Sequence, residues 1–218
     1  VQALFLAASG AIAAGGAWLH WRRFHVPITI AAGAASAVAC LFGLLLAAIP
    51  AIATFWAPIL FACGLATFAL AMRWDISDRD RITRRSDVAF WLHLLAAPMI
   101  VHPIFQTLGI LDNQATVGTA GIVLVLYVLM GLIALAIDRR ALMVSSLAYV
   151  LYALSTLFRE LGAIGLNVAL TALVIGSALL LLSAFWHSAR AFAVSLLPEA
   201  WRAKLPPLGE RPVLAQAA

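Results

Sequence analysis

Uninterrupted apolar runs of about twenty residues restrict the folding of this 218-residue chain more than any other feature. A transmembrane helix needs about 20 mostly apolar residues, whereas the strands of a membrane barrel are about half that length and alternate apolar with polar side chains. The chain is 65% hydrophobic and only 11% charged, while soluble globular proteins are about half apolar and a quarter charged. The sequence therefore predicts an all-α fold, a polytopic helical membrane protein.

Charged residues, prolines and asparagines divide the chain into seven apolar segments, each long enough to be a predicted transmembrane helix. The predicted spans are residues 1–20, 27–49, 52–72, 88–108, 116–137, 141–158 and 163–186. Residues 187–204 interleave aromatic with basic side chains, which predicts an amphipathic helix along the membrane interface. Residues 205–218 are predicted to be a disordered tail. Because the sequence begins at Val1 rather than Met, a preceding segment or helix is left open.

The basic residues provide an independent check on these spans. With seven crossings, all of the 14 lysines and arginines except Arg159 fall on one side of the membrane. Positive charge is enriched on the cytoplasmic side of membrane proteins. The sequence thus predicts an outside N-terminus and a cytoplasmic C-terminus. Abundant alanine and arginine, with Lys204 as the single lysine, indicate a bacterial protein and hence a multi-pass protein of the bacterial inner membrane.

Several classes of function are disfavoured by the residues present. The net charge of +5 follows from arginines at the predicted interface, so we expect no nucleic-acid partner. Both cysteines lie inside apolar runs, and no two histidines have an i, i+4 spacing on a predicted helix, so no metal or cofactor is predicted. Lys204 lies in the tail, which excludes a retinal Schiff base within the membrane. The sequence lacks a HExxH or GxSxG motif, so an enzyme is less expected than a binding protein.

Polar side chains inside predicted spans are the natural place to look for function, because hydrocarbon offers them no hydrogen-bond partner. Five lie within an arc of about 80° on the sixth predicted span: Ser145, Tyr149, Tyr152, Thr156 and Arg159. On the fourth span, His102 lies on a face with Asp87, Trp91 and Pro98, while His93 points the opposite way.

The fourth, sixth and seventh predicted spans can enclose one polar pocket open toward the outside. Its predicted ligand-binding residues are His102, Tyr149, Tyr152, Thr156, Arg159, Asn167 and Thr171. Arg159 at the pocket mouth would favour an anionic group. The alternative is structural: hydroxyl groups bond neighbouring helices, and Arg159 extends to the lipid headgroups.

The sequence also predicts how the first two spans pack and what the long charged loop forms. Small residues on the first two spans (Ser9, Ala13 and Ala17; Ala31, Ala35, Ala39 and Gly43) predict a tight helical hairpin. The loop from Arg73 to Asp87 interleaves five arginines with four aspartates, which predicts a solvated, salt-bridged loop rather than a calcium site, because the glycine and terminal glutamate of an EF-hand are absent.

The function predicted from the sequence is binding or transport of a small solute or a lipid-like molecule through the polar pocket. Its expected partners are the lipid bilayer, a small-molecule or lipid ligand, and a membrane protein partner or a second copy of the chain. The main alternative is a noncatalytic membrane subunit or scaffold of a larger complex. A third and less expected interpretation is a lipid-modifying membrane enzyme.

Overall fold

A computed structural model describes residues 1–109, 117–144, 147, 150, 151, 154, 155 and 167–208. These residues form helices joined by short turns, and no strand occurs among them. The helices are α1 (Gln2–Phe24), α2 (Ile28–Ala48), a 3₁₀ helix (Pro50–Phe55), α3 (Trp56–Ile76), α4 (Arg84–Thr107), α5 (Val117–Ile137), α6 (Asn167–Ala184), α7 (Trp186–Ser195) and α8 (Glu199–Arg202). The all-helical class is confirmed for the described residues.

Length and composition qualify four helical stretches as membrane spans among the described residues: Gln2–Phe24, Ile28–Ala48, Pro50–Ile76 and Arg84–Thr107. A fifth results if α6 and α7, which are bent by 78° at Phe185, form one broken span. Residues Gly121–Ile137 of α5 form a shorter apolar helix. Half of the sixth predicted span lies outside the described residues, so the count of seven and the orientation stay predictions.

Local sequence explains where the first helices end. After α1, His25 adopts a left-handed backbone (φ 53°) and its N–H bonds the Trp21 carbonyl, which caps the helix. Pro27 then precedes α2, and Pro50 begins the 3₁₀ helix that follows it. At the start of α4, the Thr83 hydroxyl accepts a hydrogen bond from the Arg85 N–H at 3.2 Å, a typical N-cap.

The first two helices form a closely packed hairpin. A Cβ added at Gly10 of α1 would lie 2.6 Å from the Cys40 nitrogen and 2.9 Å from the Ser36 carbonyl oxygen, so the two backbones approach as closely as glycine allows. Ala7 and Gly10 are buried on α1, as are Ala31 and Gly43 on α2. The hairpin thus packs as expected, but Ser9 and Ala13 of its predicted α1 face are exposed, whereas Ala17 is half-buried near Gly33 of α2.

Helices α3 and α4 form a second closely packed hairpin. The buried residues Gly64, Thr67, Ala71 and Asp75 form one stripe along α3 at spacings of three and four. A Cβ at Gly64 would lie 2.9 Å from the carbonyl carbon of Met99 on α4. The close contact places Asp75, at the last turn of α3, directly against the first half of α4.

Much of the apolar surface faces outward, as expected of membrane-embedded helices. Phe5, Ile12, Val125 and Leu180 are each about 70% exposed or more. In water such side chains would form large unfavourable patches, whereas in a bilayer they contact lipid. Buried apolar clusters lie instead among α2 to α7 and the helical residues that follow Arg140.

The arginine-bearing helix ends meet at one end of the bundle, called here the arginine end. The rings of Trp21 on α1 and Trp74 on α3 are 6.4 Å apart, edge to face. Arg81, in the α3–α4 turn, bonds Asp138 at the end of α5, and Asp138 in turn accepts a hydrogen bond from Trp186 of α7. The arginine end therefore contains the ends of α1, α3 and α5 and the starts of α4 and α7.

Candidate functional site

The pocket predicted between the fourth, sixth and seventh spans falls largely outside the described residues. Tyr149, Tyr152, Thr156 and Arg159 lie outside them, as does the side chain of Asn167. Two predicted residues are described. The His102 ring lies 5.8 Å from the Trp56 ring of α3, and Thr171 is buried on α6. The pocket therefore stays a prediction, and the described chemistry lies at the arginine end.

A buried ionic network connects α3, α4 and the end of α5. The Asp75 carboxylate accepts hydrogen bonds from Arg139 Nε at 3.1 and 3.2 Å, and from Arg139 Nη2. The ring nitrogen Nε2 of His93 lies 2.8 Å from the second carboxylate oxygen. Arg139 Nη2 also donates to the carbonyl and hydroxyl oxygens of Ser86 at 3.0 and 3.1 Å. One acidic side chain thus joins three segments of the chain.

The network is closed to solvent. His93 is 0% exposed, Asp75 5% and Arg139 7%, and the Phe68 ring packs edge-on against the imidazole at 5.2 Å. Because a buried carboxylate is stabilised only by a well-placed cation and by hydrogen bonds, Arg139 supplies what keeps Asp75 charged. No small molecule has access to these groups, so the network is suited to holding helices together.

The turn between α3 and α4 is built on Asp78. Its carboxylate accepts hydrogen bonds from the Ile82, Thr83 and Ser86 N–H groups and, at 2.7 Å, from the Thr83 hydroxyl. Burial raises the pKa of the Asp78 carboxyl, but the hydrogen bonds of Thr83, Ile82 and Ser86 lower it more, so its pKa lies below the usual range. Burial of Asp75 and Asp78 shows that the prediction of a solvated loop was wrong for these two aspartates.

A second ionic cluster surrounds Asp138. Arg81 Nη1 lies 2.7 Å from one carboxylate oxygen, and the Trp186 indole N–H donates to the other at 2.8 Å. Arg190 Nε lies 4.0 Å away. Both Arg81 and Asp138 have left-handed backbones (φ 56° and 57°), which non-glycine residues adopt at some cost. Their ion pair stabilises two strained turns against each other.

The first residues of the predicted tail are attached to this end of the bundle. Arg79 donates two hydrogen bonds to the Leu205 carbonyl, at 3.0 and 3.1 Å. Arg190 donates to the carbonyls of Pro206 and Pro207 at 2.7 and 3.0 Å. Residues 205–208 therefore lie against α7 and the α3–α4 turn, while 209–218 lie outside the described residues.

An open groove of about 880 Å³ lies at the arginine end, between the end of α1 and the α3–α4 hairpin. We call it the arginine groove. It is lined by Trp21, His25, Leu70, Arg73, Trp74, Ser77, Thr83, Arg84 and Arg85. Its described lining contains three guanidinium groups and two indoles but no carboxylate. The groove is thus an accessible surface whose lining residues include arginines and tryptophans.

The three groove arginines differ from most others of the described chain. Within the described residues, the side chains of Arg73, Arg84 and Arg85 make no hydrogen bond or ion pair. Arg79, Arg81, Arg139 and Arg190, by contrast, all bond carbonyl or carboxylate oxygens. Arginine is weakly hydrated and binds carboxylates and phosphates through paired N–H donors. Three guanidinium groups without an anion are therefore available to a ligand.

Two further cavities lie between helices, and both are partly open because exposed residues contribute to their lining. The first, called the apolar cavity, measures about 250 Å³ and is lined by Phe61, Leu65, Phe68, Ile100, Val101, Ile104, Phe105, Leu126, Tyr127, Leu129, Met130, Ile133, Leu142 and Val150. The second, called the Arg140 cavity, measures about 160 Å³ and is lined by Tyr127, Arg140, Met143, Val144, Leu147, Leu179, Leu182, Ser183 and Trp186. The two share the Tyr127 side chain.

Metal binding finds no support in the described part of the chain, where no group of three or more histidine, cysteine or acidic side chains converges. Comparison with family models, with curated proteins and with solved structures found no match.

Proposed function

We propose that this chain is an integral protein of the bacterial inner membrane that binds the anionic group of a lipid-like molecule in the arginine groove. The observation that carries the proposal is the set of three unpaired guanidinium groups of Arg73, Arg84 and Arg85 around one open groove. The ligand class agrees with the lipid-like molecule expected from the sequence, although the site lies on α1, α3 and α4 rather than in the predicted pocket.

Charge supports an anionic ligand. Arginines at a cytoplasmic interface contact lipid phosphates in many membrane proteins, and each basic residue near an anionic surface contributes about 1 kcal/mol. In this groove, no carboxylate among the described lining residues competes for the guanidinium groups. A phosphate or carboxylate would therefore gain charge-assisted hydrogen bonds without displacing an existing partner.

The aromatic side chains support a ligand with an apolar part. Trp21 and Trp74 line the groove at the arginine end, where α1 and α3 leave their apolar stretches. Tryptophan is enriched at the membrane interface because its indole has both apolar and polar surfaces. A lipid-like molecule can place its anionic group on the arginines and its glycerol or chain region against the indoles.

The proposal is tested by measuring lipid binding to the full chain in detergent by native mass spectrometry. Phosphatidylglycerol should bind more tightly than phosphatidylcholine, and Arg84→Gln/Arg85→Gln should weaken phosphatidylglycerol binding about tenfold or more. The matched control is Arg22→Gln/Arg23→Gln, which removes the same charge from the end of α1 but from outside the groove lining.

Two results would contradict the proposal. One is equal affinity for the anionic and the zwitterionic lipid. The other is an equal loss of affinity in the control pair, which would show a diffuse charge effect rather than a site. Inorganic phosphate serves as a third arm: if it competes fully with phosphatidylglycerol, the groove takes a small anionic solute and the lipid-like part of the proposal fails.

The second candidate is a noncatalytic membrane subunit or scaffold. It is favoured by the buried network of Asp75, His93 and Arg139, in which the charged groups satisfy one another and have no access for substrate. This candidate predicts that gentle extraction from the native membrane recovers a stoichiometric protein partner. Recovery of the chain alone, with no partner at equal amount, would count against it.

A further inference from the structure

The apolar cavity and the Arg140 cavity carry an inference that does not depend on the arginine groove, with which they share no described lining residue. The apolar cavity lies between α3, α4 and α5, and every described side chain around it is apolar or aromatic. A void of about 250 Å³ with such a lining gains nothing from water. Within a bilayer, hydrocarbon is the natural occupant.

The shape of the apolar cavity favours a chain rather than a compact molecule. Leu126 and Ile133 both line it and are seven residues apart on α5, so the lining extends about 10 Å along the helix axis. The same wall includes Leu142, at the arginine end of the bundle. An extended hydrocarbon chain lying roughly parallel to α5 fits that lining.

The neighbouring Arg140 cavity supplies the polar end. Tyr127 lines both cavities, so its side chain borders the apolar cavity and the Arg140 cavity. Arg140 is exposed, and its guanidinium carbon lies 4.6 Å from the centre of the Trp186 ring. Its one described hydrogen bond is long, 3.4 Å from Nη1 to the Ser183 hydroxyl.

The charge of Arg140 favours an anionic head group. Asp138, two residues before Arg140, is already bonded to Arg81 and Trp186, and no carboxylate is found among the described residues that line the Arg140 cavity. An anion at Arg140 would gain the guanidinium donors, with the Ser183 hydroxyl as a further donor. Trp186 and Leu182 add apolar surface to the lining of the same cavity.

We propose that these two cavities form one binding site for an anionic amphiphile, with its head group on Arg140 and one hydrocarbon chain in the apolar cavity. The shared chemistry is a carboxylate or phosphate joined to an alkyl chain. A free fatty acid and a bilayer phospholipid that inserts one chain between α3 and α5 both provide it.

The site is tested with stearic acid spin-labelled on its chain, added to the full chain in nanodiscs of zwitterionic lipid in alkaline buffer, where the carboxyl is ionised. Electron paramagnetic resonance measures the motionally restricted fraction. Unlabelled stearate should displace the probe, and its methyl ester should compete about tenfold less well, because the ester lacks the charge that Arg140 binds. Equal competition by acid and ester would overturn the head-group assignment.

Three variants locate the probe. Ile133→Trp fills the apolar cavity and should abolish the restricted fraction, whereas Leu132→Trp adds the same ring to the neighbouring, exposed position of α5 and should leave it unchanged. Arg140→Gln should weaken binding of the acid about tenfold and leave the weak binding of the ester as it was. Equal effects of the two tryptophan variants, or no effect of Arg140→Gln, would overturn the proposal.

A spin-labelled phosphatidic acid, with the label at the same depth, distinguishes the two sources of ligand. If the phosphatidic acid probe is restricted more strongly than the stearate probe, and Ile133→Trp abolishes that restriction, the occupant is a bilayer phospholipid. If stearate is the stronger ligand, the occupant is a free fatty acid. Arg84→Gln/Arg85→Gln should leave both signals unchanged, so failure of this site and failure of the arginine groove are separately visible.

Discussion

The carboxylate of Asp75 and the imidazole of His93 face each other across the α3–α4 interface, with Oδ2 and Nε2 2.8 Å apart. Since a carboxylate only accepts hydrogen bonds, the His93 nitrogen donates. Arg139 holds the same carboxylate through a two-pronged contact from the end of α5. One buried charge thereby joins helices that are distant in sequence. In lipid, apolar packing alone does little to specify which helices associate.

Asp75→Asn should destabilise the protein strongly. The substitution removes the charge but not the volume, so Arg139 stays buried without its counter-ion, and breaking a buried pair in this way costs about 3–5 kcal/mol. The free energy of unfolding, measured by SDS titration of the purified protein in mixed micelles, should fall by that order. The His93 ring should become more accessible as α3 and α4 separate.

The matched control is Asp80→Asn, the same chemical change in the following α3–α4 turn, at an exposed aspartate for which the described residues provide no partner. It should change the free energy of unfolding by less than about 0.5 kcal/mol. If Asp75→Asn and Asp80→Asn were equally mild, Asp75 would not be the junction that its contacts indicate.

The fold class could be predicted from the sequence because apolar length is a direct requirement of the bilayer. The first four predicted spans overlap α1 to α4 throughout most of their length. Helix ends were less predictable. α3 continues to Ile76 and α4 begins at Arg84, because Asp78 satisfies the backbone N–H groups between them and the charged loop of the prediction is shortened to a turn.

The ionic network was missed because charge was taken as a sign of solvent. A signal was present: Gly64, Thr67 and Ala71 recur at spacings of three and four, and the next position of that stripe is Asp75. The partner was not predictable in this way. Arg139 follows α5 by two residues and is 64 positions from Asp75, and no local pattern specifies which of many interfacial arginines turns inward.

Gly10→Leu should disrupt the α1–α2 hairpin, because a side chain there meets the backbone of Cys40 and Ser36, which cannot move aside as a side chain can. Overpacking of this kind costs about 1–3 kcal/mol or more. Gly15→Leu is the control on the same helix, where a Cβ meets nothing within 4 Å. SDS titration should separate the two variants, and equal stability would contradict the close contact at Gly10.

Acid should loosen the α3–α4 turn. The pKa of Asp78 is depressed in the folded protein, so its ionised form contributes stability above the unfolded pKa of about 3.9, and that contribution is lost as the pH falls through the lower folded value. Unfolding measured from about pH 6 down to about pH 3 should therefore show a loss of stability that Asp78→Asn reduces. Asp80→Asn should retain the loss seen in the unaltered protein. Identical pH profiles for all three would contradict a role for Asp78.

The arginine end should lie on the cytoplasmic side, as the distribution of basic residues predicts. Asp138 contacts both Arg81 and Trp186, so residues 80 and 187 must be on the same side of the membrane whatever the total number of spans. We expect Asp80→Cys and His187→Cys to resist a membrane-impermeant thiol reagent in spheroplasts and to react in inverted vesicles. Thr54→Cys, exposed at the other end of α3, should show the reverse.

The native thiols, Cys40 and Cys63, lie within α2 and α3, and labelling of the unaltered protein measures their own reaction with the reagent. Labelling of residues 80 and 187 from different sides would be incompatible with the ionic contacts described above. Labelling of both in spheroplasts alone would instead reverse the orientation and place the arginine groove outside the cell.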